Sequence, residues 1–347
     1  AIKTIIQLYQ DKAHFVYELL QNAEDCKATI VNFAMFNDRL ELMHNGEPFT
    51  QKNLTSIRSV GLTTKLDDIN AIGKFGVGFK SVFGICKTYK LFSNPNHFCG
   101  KGDYLPQFAS IIEDFRYQKK IAVSNTESIL PKDFTTKYVF PFCVDEDFSG
   151  YRTKDELHKR LAGRLKGLGT SVLLFMKNIK EITYTIEGIS EDYDSKGTFM
   201  LEKIVVDHAL NCFKVNTAGE KSSDDISYLM YSKSTKYGKD VNIAFACDWG
   251  KDGVPVFTSS PGKHICVYFP TDTESKVNFV VQAPFGTTPN RGGIPETDDN
   301  IALSEELGYL LRTAFLDIRD KGWLTLELLN IMPLDDEQDY GLLNALH

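Results

Sequence analysis

The stretch Ile72–Ser81, IGKFGVGFKS, decides how the chain folds. Its glycines at 73, 76 and 78 let backbone amides approach a ligand that any Cβ would hold off. A P-loop requires GxxxxGK[ST], but here Phe79 stands between Gly78 and Lys80, and no strongly apolar strand precedes Gly73. A dinucleotide fingerprint requires GxGxxG directly after a strand, whereas the order here is GxxGxG after the polar LDDINA. What survives is a glycine loop that leads into a helix toward SVFGIC, with the anion affinity of a helix N-terminus.

Upstream, DKAHFVYELLQNAEDCK (residues 11–27) spaces Val16, Leu19, Leu20 and Ala23 as one helical face. At ~100° per residue, Glu18, Asn22 and Asp25 share a stripe roughly 60° wide, either a solvated polar face or a functional one. TIVNFAMFNDRLELM alternates Val31, Phe33 and Met35, then Leu40 and Leu42, around Asn37 and Asp38, which predicts a β-hairpin running into HNGEPF. A helical TQKNLTSIRSV and the polar GLTTKLDDINA lead to the glycines.

Downstream, residues 87–140 read as strands and loops, and KDELHKRLAGRLKGL as a helix. GTSVLLFMKNIKEITYTIEG reads as an apolar strand followed by a second strand. Helices interleaved with antiparallel strands indicate an α/β sandwich, not a doubly wound sheet. The first boundary falls near residue 180, giving domains 1–180 and 181–347. The second contains strand signals at YLMYSK, VNIAFACDW, KHICVYFP and VNFVVQAPF before the helical SEELGYLLRTAFLDIRDKG, and reads as one mixed α/β domain.

The 347 residues suit two domains, and 42% hydrophobic with 24% charged residues is an ordinary globular composition. A net charge of -7, from 39 basic and 46 acidic residues, gives no global attraction for nucleic acid, although a local basic patch is compatible with it. The 7 cysteines are scattered and lack a CxxC pair, which suits reduced thiols; His97-Phe98-Cys99 has no second ligand pair at zinc spacing. No apolar run approaches the ~18 to 20 residues of a membrane span, and the opening AIKTIIQLYQDKAHF lacks a signal-peptide pattern. The expectation is a soluble, cytoplasmic protein, and a piece of a longer chain because it starts without Met.

Taken in order, ELLQNAED, HNGEPF, NLTSIRSVGLTTK, IGKFGVGFKS and GTSVLLF resemble the GHKL ATPases, which share the Bergerat ATP-binding fold. The glycine run looks most like the heat-shock-chaperone and MORC versions. HNGEPF and the later VVQAPFGTTPNR look most like sacsin-type modules. The motifs span residues 18 to 175.

The resemblance implies a two-layer α/β sandwich followed by a middle or transducer-like domain, with ATP hydrolysed to ADP and phosphate in the presence of Mg²⁺. Glu18 is then the general base that activates water and Asn22 the Mg²⁺ ligand. The i, i+4 spacing sets both on one helical face, and Asp25 continues it toward the nucleotide. HNGEPF corresponds to a family segment reading Asp-x-Gly-x-Gly, whose aspartate accepts a hydrogen bond from the adenine amino group. His44 stands in that place and Pro48 replaces the second glycine. A neutral histidine can accept through one ring nitrogen, or Asn45 through its carbonyl oxygen; an ordinary strand-end histidine is the alternative. Gly46 lies where the backbone passes the base, and Phe49 beside it.

Residues 59–72 correspond to the ATP lid, with Asn53 just before it on the nucleotide side. Lys65, with Thr63 and Thr64, either contacts phosphate on closure or is solvated. Gly73, Lys74, Phe75, Gly76, Val77 and Gly78 form the amide cradle, Phe79 anchors the following helix, and Lys80 and Ser81 are ambiguous. Thr170 resembles the threonine that holds adenine through water. Arg291, in QAPFGTTPNRGGIP, is the candidate basic residue that reaches the γ-phosphate from the second domain; a structural loop arginine is the alternative.

The resemblance implies a slow conformational switch, often dimerising with ATP bound. A chaperone-like or sacsin-like ATPase with a protein client and further domains is favoured. A DNA-associated clamp of the MutL or MORC kind, serving bacterial defence, is second, and a non-hydrolysing nucleotide sensor third. No histidine-kinase phosphoacceptor module is recognisable.

Overall fold

A computed structural model describes residues 15–50, 78–93, 96–102, 110–114, 130–144, 153–188, 194–219, 225–236, 238–260, 264–288, 293–333 and 339–346. They divide into two compact units. Unit 1 comprises residues 1–168 and 176–199; unit 2 comprises residues 169–175 and 200–347.

Unit 1 opens on helix α1 (Phe15–Asp25), whose apolar spacing buries Phe15, Val16, Leu19, Leu20 and Ala23. Its C-terminus closes as a Schellman motif: the Ala28 amide reaches the Ala23 carbonyl at 3.0 Å and the Lys27 amide the Glu24 carbonyl at 2.8 Å. The residue between, Lys27, takes the left-handed conformation with φ 58°, where glycine is usual.

The hairpin follows as expected. Strands β1 (Ile30–Met35) and β2 (Arg39–His44) pair antiparallel, with Phe33 opposite Leu42 and Val31 opposite His44. The sheet continues through β3 (Thr88–Ser93), β4 (Asn96–Gly102), β5 (Ser110–Asp114), β6 (Thr136–Pro141) and β7 (Glu181–Ile186), in the order β7-β1-β2-β6-β3-β4-β5. The β1–β7 pair is parallel, and the β1–β2, β2–β6, β3–β6, β3–β4 and β4–β5 pairs are antiparallel.

Register sorts one face of this sheet into rows. Phe33, Leu42, Tyr138 and Leu91 form an apolar row across four strands, all buried. The row at the end of the same face reads Val31, His44, Thr136, Ser93, and its last three members are polar yet at most 1% exposed. The opposite face is ionic. Glu41 takes Arg39 Nε at 2.8 Å and Lys137 Nζ at 2.7 Å.

The glycine run emerges into a short 3₁₀ helix, Gly78–Gly84, where sequence suggested an ordinary helix. Phe79 packs edge-on against Tyr89 at 5.0 Å and beside Tyr138 at 5.8 Å, which seats this turn on the apolar face. Helix α2 (Lys154–Lys166) starts on Thr153, whose hydroxyl accepts the Glu156 amide, and ends at Gly167. Its Arg164 donates to the Tyr17 hydroxyl of α1 at 3.3 Å and lies against that ring.

GTSVLLF departs from expectation. Thr170–Val172 form a 3₁₀ turn instead of a strand, and residues 173–175 continue as turn with Val172, Leu173, Leu174 and Phe175 buried. A short apolar run reports burial and not backbone conformation. The second strand of that stretch is β7.

Unit 2 contains most of β8 (Ser195–Asp207), then β9 (Cys212–Ala218), β10 (Ser227–Ser234), β11 (Asp240–Trp249), β12 (Pro255–Phe257), β13 (His264–Val267), β14 (Phe269–Glu274) and β15 (Val280–Gln282). The order is β14-β13-β15-β11-β10-β9-β8, with β12 on β11. Helix α3 (Asp298–Asp320), capped by Thr297, packs on β10 and β11. Its Asp317 accepts the Tyr231 hydroxyl at 2.7 Å. The carbonyl of Ala345 lies where a Cβ on Gly308 would sit, so the 3₁₀ turn Gly341–Leu346 crosses α3 at backbone distance. Helix α4 (Leu326–Ile331) follows α3.

Candidate functional site

Helix α1 sets the first group of side chains. Glu18 is 8% exposed, while Asn22 and Asp25, on the same stripe, are half-buried. A solvated face would leave a glutamate largely in water, so this stripe is enclosed. Glu24, on another side of the helix, is a structural carboxylate. Its Oε1 accepts the amides of Lys177 and Asn178 and the Asn178 side-chain amide, each at 2.9 Å, and its Oε2 accepts the Ile179 amide at 2.9 Å. That clamp fixes the segment entering β7 to the helix.

The second group lies where β2 ends. Gly46 passes so close to the end of α1 that a Cβ would collide with the Cys26 carbonyl oxygen and the Ala28 nitrogen. The Glu47 amide donates to that same carbonyl at 2.6 Å. Asn45 points the same way. Its Oδ1 accepts the amides of Thr29 at 2.8 Å and Ile30 at 3.0 Å, and its Nδ2 donates to the Thr29 hydroxyl at 2.7 Å. Both lone pairs of that carbonyl are engaged, so Asn45 is a joint between helix and strand and offers no acceptor to a ligand.

His44 is 1% exposed. Its Nδ1 accepts the Gly46 amide at 3.2 Å, and its carbonyl accepts the Thr135 amide at 3.0 Å and hydroxyl at 3.2 Å. Thr135 also donates to the Gly46 carbonyl. Burial alone lowers the His44 pKa from 6.5 to about 4, so the imidazole is neutral at pH 7. Its neighbours in the row are mutually bonded: the Ser93 and Thr136 hydroxyls meet at 2.9 Å, and Ser93 accepts the Phe49 amide at 2.7 Å. The half-buried Phe49 ring stands edge-on to Tyr138 at 6.0 Å. Thr136 and Ser93 went unnoticed in the sequence, because only strand register brings them beside His44.

The structure thus sets the His44–Gly46 turn against the C-terminal end of α1, whose inner turns carry Glu18 and Asn22, while Phe49 is tied to the sheet through Ser93 and Tyr138. Thr170 is a buried residue of unit 2, following Gly169 with φ 65°. Arg291, Asn53, Thr63, Thr64, Lys65, Gly73, Lys74, Phe75, Gly76 and Val77 lie outside the described residues, as does the side chain of Lys80; Gly78 opens the 3₁₀ turn. Around Arg291 the flanks are closed. Thr288 and Gly293 exchange hydrogen bonds at 3.0 Å, and Asn300 holds Gly286 from both sides, accepting its amide at 2.8 Å and donating to its carbonyl at 2.9 Å.

Among the described residues no three His, Cys, Asp or Glu side chains gather as a metal cluster. The donors on the α1 stripe are carboxylate and amide oxygens, the hard ligands that suit Mg²⁺ when phosphate oxygens and waters complete its shell. No helix among the described residues is long and apolar enough to cross a membrane.

Residues 36–151, from the turn of the hairpin through β6, match the family model described as Sacsin domain. The chain is 25% identical to human Sacsin over 217 residues, covering 52% of this chain and 5% of that protein. It is 24% identical to Protein NO VEIN of Arabidopsis thaliana over 311 residues, covering 84% of this chain and 11% of that protein. The chain therefore spans a small part of the length of either relative.

Proposed function

We propose that the chain is a sacsin-like nucleotide-binding module of the GHKL superfamily, that its first unit is a Bergerat-type sandwich, and that it binds ATP with Mg²⁺ and hydrolyses it slowly to ADP and phosphate. The observation that supports this most is the enclosed stripe of α1. Glu18 sits one turn from Asn22 on a helix whose C-terminus is locked to the His44–Gly46 turn. A sheet with an apolar face carrying the glycine-run turn through Phe79, and an ionic face opposite, agrees with the reading.

In this proposal Glu18 takes a proton from water as that water attacks the γ-phosphate, a step that requires the carboxylate within ~3 Å of the water's oxygen. The Asn22 side-chain oxygen would hold Mg²⁺, whose charge would offset that building on the phosphate oxygens. Asp25 holds water at the outer end of the stripe. The resemblance assigns the glycine run to the phosphates, residues 59–72 to the ATP lid and Arg291 to the γ-phosphate. The product is a change of conformation in a longer polypeptide with a protein client, accompanied by ATP-dependent dimerisation. With a net charge of -7, a DNA clamp is the weaker alternative.

The test is ATP binding and phosphate release by the wild type and by Glu18→Ala. Retained binding with turnover reduced at least ~100-fold, the range of general-base loss, supports the assignment. Unchanged turnover removes Glu18 from that role, and absence of nucleotide binding by the wild type removes the proposal.

A further inference from the structure

His44 stands by sequence position where an acceptor is expected, yet its side-chain hydrogen bond makes it a donor. A neutral imidazole has one N–H and one lone pair. The Nδ1 lone pair accepts the Gly46 amide. The proton therefore resides on Nε2. This tautomer is held by the backbone, since Gly46 is wedged against Cys26 and Ala28 and the His44 carbonyl is pinned by Thr135. Among the described residues nothing hydrogen-bonds Nε2.

The rest of the polar row is engaged chiefly within itself. Ser93 and Thr136 bond each other, and Ser93 also accepts Phe49. Asn45, the other candidate reader, is engaged with Thr29 and Ile30. The hydrogen-bonding capacity left at this end of the sheet thus includes the His44 Nε2–H, whose sign is fixed by the backbone, and one hydroxyl of the Ser93–Thr136 pair, which is free to rotate. Burial keeps the imidazole uncharged in neutral solution, with a pKa of about 4.

We infer that His44 offers a nucleobase a hydrogen-bond donor, so that the site takes 6-oxopurine nucleoside triphosphates at least as tightly as ATP. The inference rests on the nucleotide-binding reading above. An aspartate at this place accepts from a 6-amino group; Nε2–H facing that amino group sets two donors against each other, with neither satisfied. An oxygen at position 6 accepts directly from Nε2–H. A purine without any substituent at position 6 removes the conflict without adding a bond. Inosine triphosphate should therefore bind no more weakly than purine riboside triphosphate, and purine riboside triphosphate no more weakly than ATP.

Isothermal titration of the 347-residue chain with these three nucleotides at pH 7.5 and saturating Mg²⁺ tests this. Expected is a dissociation constant for inosine triphosphate equal to that for ATP or up to about 10-fold lower, the range of one hydrogen bond. The His44→Asp variant should reverse the order, with ATP bound more tightly by about 10-fold. Tighter binding of ATP than of inosine triphosphate by the wild type overturns the inference while leaving nucleotide binding intact. Binding of none of the three removes the underlying reading, and the inference with it. The wild-type series decides even if His44→Asp does not fold.

Discussion

Lowering the pH from 8 to 5 should destabilise unit 1 through one side chain, His44. In the unfolded chain its imidazole takes a proton below pH 6.5, while in the folded chain burial holds it neutral down to about 4. The folded-state pKa is the lower one, so the contribution is fully present above about pH 6.5 and is lost as pH falls toward 4, where it levels off. The unfolded state binds the extra proton in that window. Two and a half pH units at ~1.36 kcal/mol each set a ceiling of about 3 kcal/mol, of which about 2 kcal/mol is lost by pH 5.

His44→Asn keeps an oxygen near the Nδ1 position for the Gly46 amide but cannot titrate. Subtracting its pH profile from that of the wild type cancels the other ionisable groups. The assay is urea unfolding read by pulsed hydrogen exchange in peptides from β1 and β2, since both tryptophans, Trp249 and Trp323, report on unit 2. The imidazole Cε1–H resonance gives the protonation state directly. A difference profile flat between pH 8 and 5, or a resonance titrating near 6.5, would refute the enclosed, neutral His44 on which both the arithmetic and the donor assignment depend.

Gly46→Ala places a methyl group against the Cys26 carbonyl and the Ala28 nitrogen, both backbone atoms, and should cost about 1–3 kcal/mol by thermal or urea unfolding, with nucleotide affinity falling alongside. Stability equal to the wild type's would show that the strand and helix ends are not in contact. Glu24→Ala strips the partners from the amides of Lys177, Asn178 and Ile179 and should cost about 3 kcal/mol or more, read as faster exchange of those amides. Glu24→Gln retains one acceptor oxygen and should recover part of that loss.

Where the sequence was explicit, periodicity was the reason. The α1 stripe and the β1–β2 hairpin follow from spacings of 3.6 and 2, because one buried face fixes each element. GTSVLLF carried no period and so concealed a 3₁₀ turn. Asn45 illustrates a different failure: its residue type is right for a ligand, but its two acceptor sites are used by Thr29 and Ile30, a fact that exists only after folding. Glu24 has the look of an exposed helical glutamate until the β7 approach supplies its four hydrogen bonds. Ser93 and Thr136 belong to the polar row through register alone, since β3 and β6 are adjacent in the sheet but not in sequence. For His44, the residue was visible and its polarity was not, because the tautomer depends on an amide two residues ahead.

The wedge of Gly46 against Cys26 also sets a lever. Glu18 lies eight residues from Cys26, about 12 Å along the helix at ~1.5 Å per residue. A pivot of about 5° at the wedge swings the far carboxylate by about 1 Å, a displacement that can change a reaction rate by ~100-fold when a proton transfer must be aligned. The stiffness of that contact, more than the strength of any bond to the phosphates, would then govern how fast the proposed switch turns over. Under the proposed function, a base pressing on the His44–Gly46 turn would tilt the helix that carries Glu18, converting fit at one end of the nucleotide into timing at the other.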